Sequence, residues 1–269
     1  GPLALGGLTK GVSVQELTAA YVPFANGGIY YTPYTYTKVV DGKGNVLLEK
    51  AADPSVAMRE QVAYIMNDLL QGVVNNGTGA AAKIANQPTA GKTGTTSDDF
   101  DRWYVGYTPY YVGTVWYGFD TNKTIVTTKG MNPALSIWKQ VMTKVHQNKQ
   151  RAEFYGTSNI VTAEYCLDSG LKPTEICKAD IRGDRTDTAI YEKGTEPTEE
   201  CNVHVWAKIC TESGQIAGPY CTSTKMVGLI NFRREFPYNI EIRDAQYTYL
   251  PLASGAKLTQ GEQMPVYIS

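Results

Sequence analysis

All five cysteines of this 269-residue chain, Cys166, Cys177, Cys201, Cys210 and Cys221, lie in one stretch, and none precedes it. That divides the chain into two parts stabilised by different chemistry. Two segments inside the stretch repeat one another. Cys166-Leu167-Asp168-Ser169-Gly170 runs on to Cys177, and Cys210-Thr211-Glu212-Ser213-Gly214 runs on to Cys221, with the same cysteine spacing and Ser-Gly at the same offset. The pattern predicts a duplicated loop, each copy closed by a disulfide (Cys166–Cys177 and Cys210–Cys221) and turned at glycine. A closed loop of that length stabilises a small fold by about 3 kcal/mol in the chain-entropy model. Cys201 is left over, and Cys201-Asn202-Val203-His204 with Cys210 or Cys221 is an alternative, zinc-ligating reading. The expectation is disulfides, with no metal and no cofactor. It places the segment in an oxidising, extracytoplasmic compartment. The predicted division is 1–150 and 151–269, each part long enough to bury a core.

Composition excludes some functions. Apolar residues make up 42% and charged residues 19%, as in ordinary globular proteins, and the formal net charge of −1 leaves no basic footprint for nucleic acid. No apolar run approaches the roughly 18 residues a spanning helix needs.

In the first part, Ser13-Val14-Gln15-Glu16 is a capping box, and Asn26-Gly27-Gly28 is a helix stop after apolar residues at helical spacing. Residues 29–49 read as a hairpin turning at Asp41-Gly42-Lys43-Gly44-Asn45. Asp53-Pro54 reads as the start of a second helix whose buried seam is Met58, Val62, Ile65, Leu69 and Val73. Residues 103–107 and 111–119 predict antiparallel strands. Asn132-Pro133 predicts a helix with an apolar stripe of Trp138, Val141, Met142 and Val145, and with His146 solvated at its polar end. The acids of Ser97-Asp98-Asp99-Phe100-Asp101 do not follow a calcium-loop spacing. Residues 238–243 and 246–250 alternate as strands do.

The most site-like stretch is Ala90-Gly91-Lys92-Thr93-Gly94-Thr95-Thr96. Its glycines imply backbone closely approached by another molecule, its lysine a fixed cation, and its threonines hydroxyls beside exposed N–H groups. Such a strand edge suits an anionic, carbonyl-bearing ligand.

Six ordered strings extend this reading: Leu3-Ala4-Leu5-Gly6-Gly7 with Val12-Ser13-Val14-Gln15-Glu16-Leu17; Ala20-Tyr21 with Phe24-Ala25-Asn26-Gly27-Gly28; Gly77-Thr78-Gly79; the 91–96 stretch; Trp103-Tyr104-Val105-Gly106-Tyr107-Thr108-Pro109; and Trp116. Together they resemble the transpeptidase domain of class A penicillin-binding proteins, as far as about residue 145. The resemblance implies an α+β fold, an antiparallel sheet flanked by helices, here incomplete and followed by a β-rich, disulfide-stapled module. It implies serine D,D-transpeptidation that cross-links peptidoglycan. Lys92 and Thr95 would be catalytic, with the Thr95 N–H as half of the oxyanion hole, and Thr93, Gly94 and Thr96 would bind substrate. Partners would be peptidoglycan stem peptides and β-lactams.

The family's nucleophile, in S-x-x-K, precedes K-T-G. Here Ser136-Ile137-Trp138-Lys139, Ser169-Gly170-Leu171-Lys172 and Ser254-Gly255-Ala256-Lys257 all follow it, and S-x-N does not occur. The nucleophile is therefore expected in an amino-terminal part of the same protein, possibly present as a separate chain. That part would also carry the anchor to the extracytoplasmic face of the bacterial membrane. A D,D-carboxypeptidase, a β-lactamase-like hydrolase and a non-catalytic cell-wall-binding fragment are the alternatives.

Overall fold

The computed structural model describes residues 6, 8, 10–128, 131–180, 183–212, 217–218, 220–230 and 266–267. They form two compact units, Gly1–Asn159 and Ile160–Ser269. The expected strands at 238–243 and 246–250, Ser213-Gly214 and Ser254 to Lys257 lie outside the described residues.

In the first unit, α1 (Val14–Ala25) opens with the expected capping box. The Glu16 N–H donates to Ser13 Oγ at 3.2 Å, and the Ser13 N–H donates to Glu16 Oε2 at 2.8 Å. The second of these bonds holds the Glu16 carboxyl below its ordinary range. Gly27 and Gly28, at φ 76° and 96°, turn the chain out of the helix. The hairpin is shorter than expected, β2 (Lys38–Val40) with β3 (Val46–Glu49), because β1 (Ile29–Tyr31) pairs elsewhere. Asp41 Oδ1 closes its turn by accepting from the Lys43 and Asn45 N–H groups at 2.8 and 2.9 Å.

Asp53-Pro54 does not start a helix. Pro54–Val56 forms β4, which completes β1 in register Ile29↔Val56. An end-of-strand position tolerates proline, and the extended backbone gives β1 a partner. The second helix, α2 (Glu60–Asn76), starts after Arg59 and buries Ala63, Asn67, Leu70 and Val74. Val62 and Leu69 of the expected seam are 38% and 59% exposed. The buried stripe is thus turned by one residue, with the small Ala63 inward, where a bulkier side chain would hold the helix away from its neighbours.

The central sheet has the expected antiparallel order, β5 (Ala90–Thr95), β6 (Asp101–Tyr107) and β7 (Val112–Gly118). Against it packs α3 (Pro133–Val145), capped by Asn132, whose side chain accepts from the Leu135 N–H at 3.3 Å. The contact is made by removing side chains from the sheet. Gly106 and Gly113 pair across β6 and β7, and Trp138 occupies the slot they leave. Its indole Nε1–H reaches the Gly106 and Gly113 carbonyls at 3.2 and 3.0 Å, and its ring lies edge-on to Tyr104 at 5.1 Å. Ala134, Leu135 and Met142 bury beside it, whereas Val141 and Val145 of the expected stripe stay exposed.

His146 is buried, not solvated. Its Nδ1–H donates to the Met142 carbonyl at 2.7 Å, which leaves Nε2 to accept from the Thr108 hydroxyl at 2.8 Å. Polar partners on both nitrogens, with Tyr110 and Tyr111 against the ring, let it bury. The first unit also continues past residue 150. The Ala152 N–H donates to Gln87 Oε1 at 3.3 Å, and the Phe154 ring packs on Tyr107 at 5.5 Å.

The second unit contains β8 (Ile160–Cys166) paired with β9 (Thr186–Glu192), a short α4 (Glu175–Lys178), and a sheet ordered β10 (His204–Cys210), β11 (Thr224–Ile230), β12 (Val266–Tyr267). Cys210 and Cys221 form the expected disulfide, with Cα atoms 5.9 Å apart. Cys166 and Cys177 do not pair. Both are free and buried, as is Cys201, because their side chains converge on a shared point with His204 rather than on one another alone. Among the described residues no helix is long and apolar enough to cross a membrane.

Two outcomes follow from this packing. Gly106→Ala would place a Cβ 2.8 Å from the Trp138 ring and 2.7 Å from the Tyr104 ring, both fully buried. It should cost about 1–3 kcal/mol in urea unfolding followed by tryptophan fluorescence. Gly42→Ala meets nothing within 4 Å and should stay within about 0.5 kcal/mol of the parent. Equal effects would show that the glycine slot does not set the packing. Peptide mapping without reduction should link Cys210 to Cys221 and leave Cys166 and Cys177 unlinked to each other, and a Cys166–Cys177 species would contradict the fold described here.

Candidate functional site

Among the described residues β5 ends its sheet, so the pairing with β6 occupies one edge of the Lys92 strand and leaves the other outside that ladder. Alternation then sorts its side chains. Gly91, Thr93 and Thr95 point to one face, and Ala90, Lys92 and Gly94 to the other.

Thr93 and Thr95 open onto a cleft of about 510 Å3 that Thr78, Asp99, Arg102 and Asn132 also line, with Ile125 and Met131 as apolar walls. Thr93 Oγ1 lies 3.0 Å from Thr78 Oγ1, so the Gly77-Thr78-Gly79 turn and the strand form one hydroxyl pair. Arg102 stands opposite Thr95 in the β5–β6 register. Its Nη1 donates to Thr95 Oγ1 at 3.0 Å and lies 3.1 Å from Asp99 Oδ1. The cleft therefore offers hydroxyls and a planar cation whose charge Asp99 partly offsets. A carboxylate entering it would meet threonine hydroxyls and a guanidinium whose Nη1 is already shared between Thr95 and Asp99.

The other expected residues lie elsewhere. Lys92 does not line the cleft; it is exposed, and its Nζ donates to the Thr93 carbonyl at 2.9 Å, across the strand from the guanidinium. Thr96 serves the following turn, donating through Oγ1 to Asp101 Oδ2 at 3.0 Å and accepting from the Asp101 N–H at 2.9 Å. The space over Gly91 is not open to a ligand, contrary to the sequence reading. A Cβ there would fall 2.5 Å from the Tyr104 hydroxyl and 2.7 Å from the Val105 carbonyl, so this glycine makes room for the protein itself. At Gly94 a Cβ would meet Trp103 Cβ at 3.1 Å.

The acidic turn also has a structural purpose. Asp98 and Asp99 take positive φ, Asp99 holds Arg102, and Asp101 accepts from the Trp116 indole at 2.7 Å. Ser136 Oγ donates to the Asn132 carbonyl one turn back in its own helix, and Ser169 Oγ accepts from the Leu171 N–H. Both serine hydroxyls are engaged locally. Arg102 was missed by sequence reading. Hairpin register was the available signal, because the short turn at 96–101 places Arg102 directly across from Thr95.

A family model for the penicillin-binding protein transpeptidase domain matches residues 2–143, and one for the penicillin-binding protein 1A C-terminal domain matches residues 156–206. A curated relative, penicillin-binding protein 1A of Clostridium novyi, is 34% identical over 250 residues, 91% of this chain and 28% of that protein. Penicillin-binding protein 1A of Clostridium botulinum is 35% identical over 246 residues, 91% of this chain and 30% of that protein. The chain thus spans under a third of the length of these relatives. Penicillin-binding protein 1A from Haemophilus influenzae shares the fold, with TM-score 0.60 at 22% identity over 74% of this chain and 34% of that one. With the transpeptidase model matching more than half of its length, the chain belongs to the penicillin-binding protein transpeptidase family.

Proposed function

We propose that this chain supplies the substrate-binding strand of a serine D,D-transpeptidase that cross-links peptidoglycan. The observation that carries the reading is the Thr93–Thr95 hydroxyl face of an edge strand, opening on a cleft beside Arg102, in a chain of the transpeptidase family. A stem peptide ending in a free carboxylate would lie along β5. Its carboxylate would be held by the Thr93 and Thr95 hydroxyls with the Arg102 guanidinium behind them. Its scissile carbonyl would accept from the Thr95 N–H, half of an oxyanion hole completed by the N–H of the nucleophilic serine. Lys92 would act from the opposite face as a fixed positive charge favouring proton transfer from that serine. Gly94 would let β5 lie close to Trp103 and so support the strand under the substrate, and Thr96 would hold the turn that places Arg102.

The serine itself would come from an amino-terminal portion of the same protein, which would also anchor it at the extracytoplasmic face of the membrane. It would attack the penultimate carbonyl, forming an ester and releasing the terminal D-alanine, and an amine of a neighbouring strand would then displace the serine. β-Lactams would acylate the same serine. The second unit would bind or position rather than catalyse.

The test is acylation by a fluorescent penicillin. The complete protein should label and this chain alone should not; labelling at Ser136, Ser169 or Ser254 in the isolated chain would overturn the assignment. In the complete protein, Lys92→Ala should slow acylation roughly 10- to 100-fold, the range of a charge-assisted hydrogen bond, with an unchanged melting temperature. Arg102→Gln should weaken substrate capture, raising KM for a stem-peptide analogue more than it lowers kcat. An unaltered KM would remove the guanidinium from carboxylate recognition.

A further inference from the structure

The three free cysteines lie together. Cys166 ends β8, Cys177 sits in α4, Cys201 precedes β10, and His204 begins it; all four are buried, and their Sγ and Nδ1 atoms lie within 4.8 Å of one another. Cys166 Sγ and Cys201 Sγ are 3.6 Å apart, and each is 3.4 Å from His204 Nδ1. A tetrahedral zinc ion, with Zn–S near 2.3 Å and Zn–N near 2.0 Å, requires roughly 3.8 Å between sulfurs and roughly 3.5 Å between sulfur and nitrogen. The observed spacings are those of ligands around a common centre.

Neighbouring groups are arranged for the same purpose. Backbone N–H groups aim at two of the sulfurs, Thr174 at Cys177 (3.3 Å) and His204 at Cys201 (3.4 Å). On the far side of the imidazole, Nε2 lies 2.9 Å from Asp180 Oδ2 and 3.4 Å from Asp168 Oδ2. A carboxylate there fixes the proton on Nε2 and turns the Nδ1 lone pair toward the sulfurs, the usual outer support of a metal-bound histidine. Among the described residues, the buried cluster at this point consists of Cys166, Cys177 and Cys201 with Val203 against them.

We propose that Cys166, Cys177, Cys201 and His204 bind one zinc ion in a closed, structural Cys3His site that ties β8 and α4 to β10. The sequence reading missed it by pairing Cys166 with Cys177 and seeking partners for Cys201 and His204 at Cys210 or Cys221. Four buried protein ligands leave no position for a substrate, so the ion holds the fold and performs no chemistry.

The full chain, purified without chelator, should contain one zinc per molecule by elemental analysis. Exchange for cobalt(II) should give the intense visible absorption of a tetrahedral thiolate complex. Asp180→Asn, which keeps all four ligands, should weaken metal binding by roughly 10- to 100-fold in competition with a chromogenic chelator. Cys201→Ser should abolish the cobalt spectrum, and Cys221→Ser, outside the site, should leave it intact. Where Cys201→Ser fails to fold, the cobalt spectrum of the parent and the Asp180→Asn shift decide. A metal-free parent with three titratable thiols, a disulfide among Cys166, Cys177 and Cys201, or a cobalt spectrum lost with Cys221→Ser would overturn the proposal.

Discussion

The first unit depends on one contact, the Trp138 indole in the slot left by Gly106 and Gly113. Two absent side chains bring α3 against β6 and β7, and two carbonyls anchor the indole N–H. Buried polar groups are mostly paired, and these two bonds fix the orientation of the ring as well as its depth. Tyr104 then lies edge-on to Trp138, and its hydroxyl occupies the space over Gly91. The position of the Lys92 strand is thereby set from behind. Burial pushes the Tyr104 phenol above its ordinary range, in keeping with a ring whose role is packing.

From this arrangement the two faces of β5 acquire different chemistry. Thr93 and Thr95 share a face with Arg102 at the cleft, while Lys92 stands on the opposite face. In the function proposed above, separating the guanidinium from the ammonium would let one cation recognise a carboxylate while the other influences proton movement. The turn at 96–101 supports this division, since Asp99 and Asp101 each hold a side chain of the neighbouring strands.

Much of the fold was legible in the sequence because its signals are local. The capping box at Ser13 and Glu16, the Asp41 turn, the Asn132 cap and the β5–β6–β7 meander all formed as expected. The failures are tertiary. For α2, spacing alone favoured Val62 and Leu69, but the inward stripe carries Ala63, a choice that depends on how closely the helix approaches its neighbours. Pro54 was misread because a strand partner outweighed a helix-start signal. His146 looked solvated until Thr108, distant in sequence, supplied its second partner. In the second unit, equal cysteine spacing suggested equal chemistry, yet one repeat closed as a disulfide and the other opened toward Cys201 and His204. At the cleft, the motif pointed to Lys92, Thr93 and Thr95, of which the two threonines line it and the lysine does not, and only the register brings in Arg102.

The central claim is that the Thr93–Thr95 face receives the donor carboxylate while the Thr95 N–H polarises the carbonyl. A crystal structure of the complete protein acylated by a penicillin tests it most directly. The account predicts the antibiotic carboxylate within hydrogen-bonding distance of the Thr93 and Thr95 hydroxyls, on the Arg102 side of β5, and the acyl oxygen on the Thr95 N–H. A carboxylate bound away from this strand, or an acyl oxygen held by other donors, would contradict it.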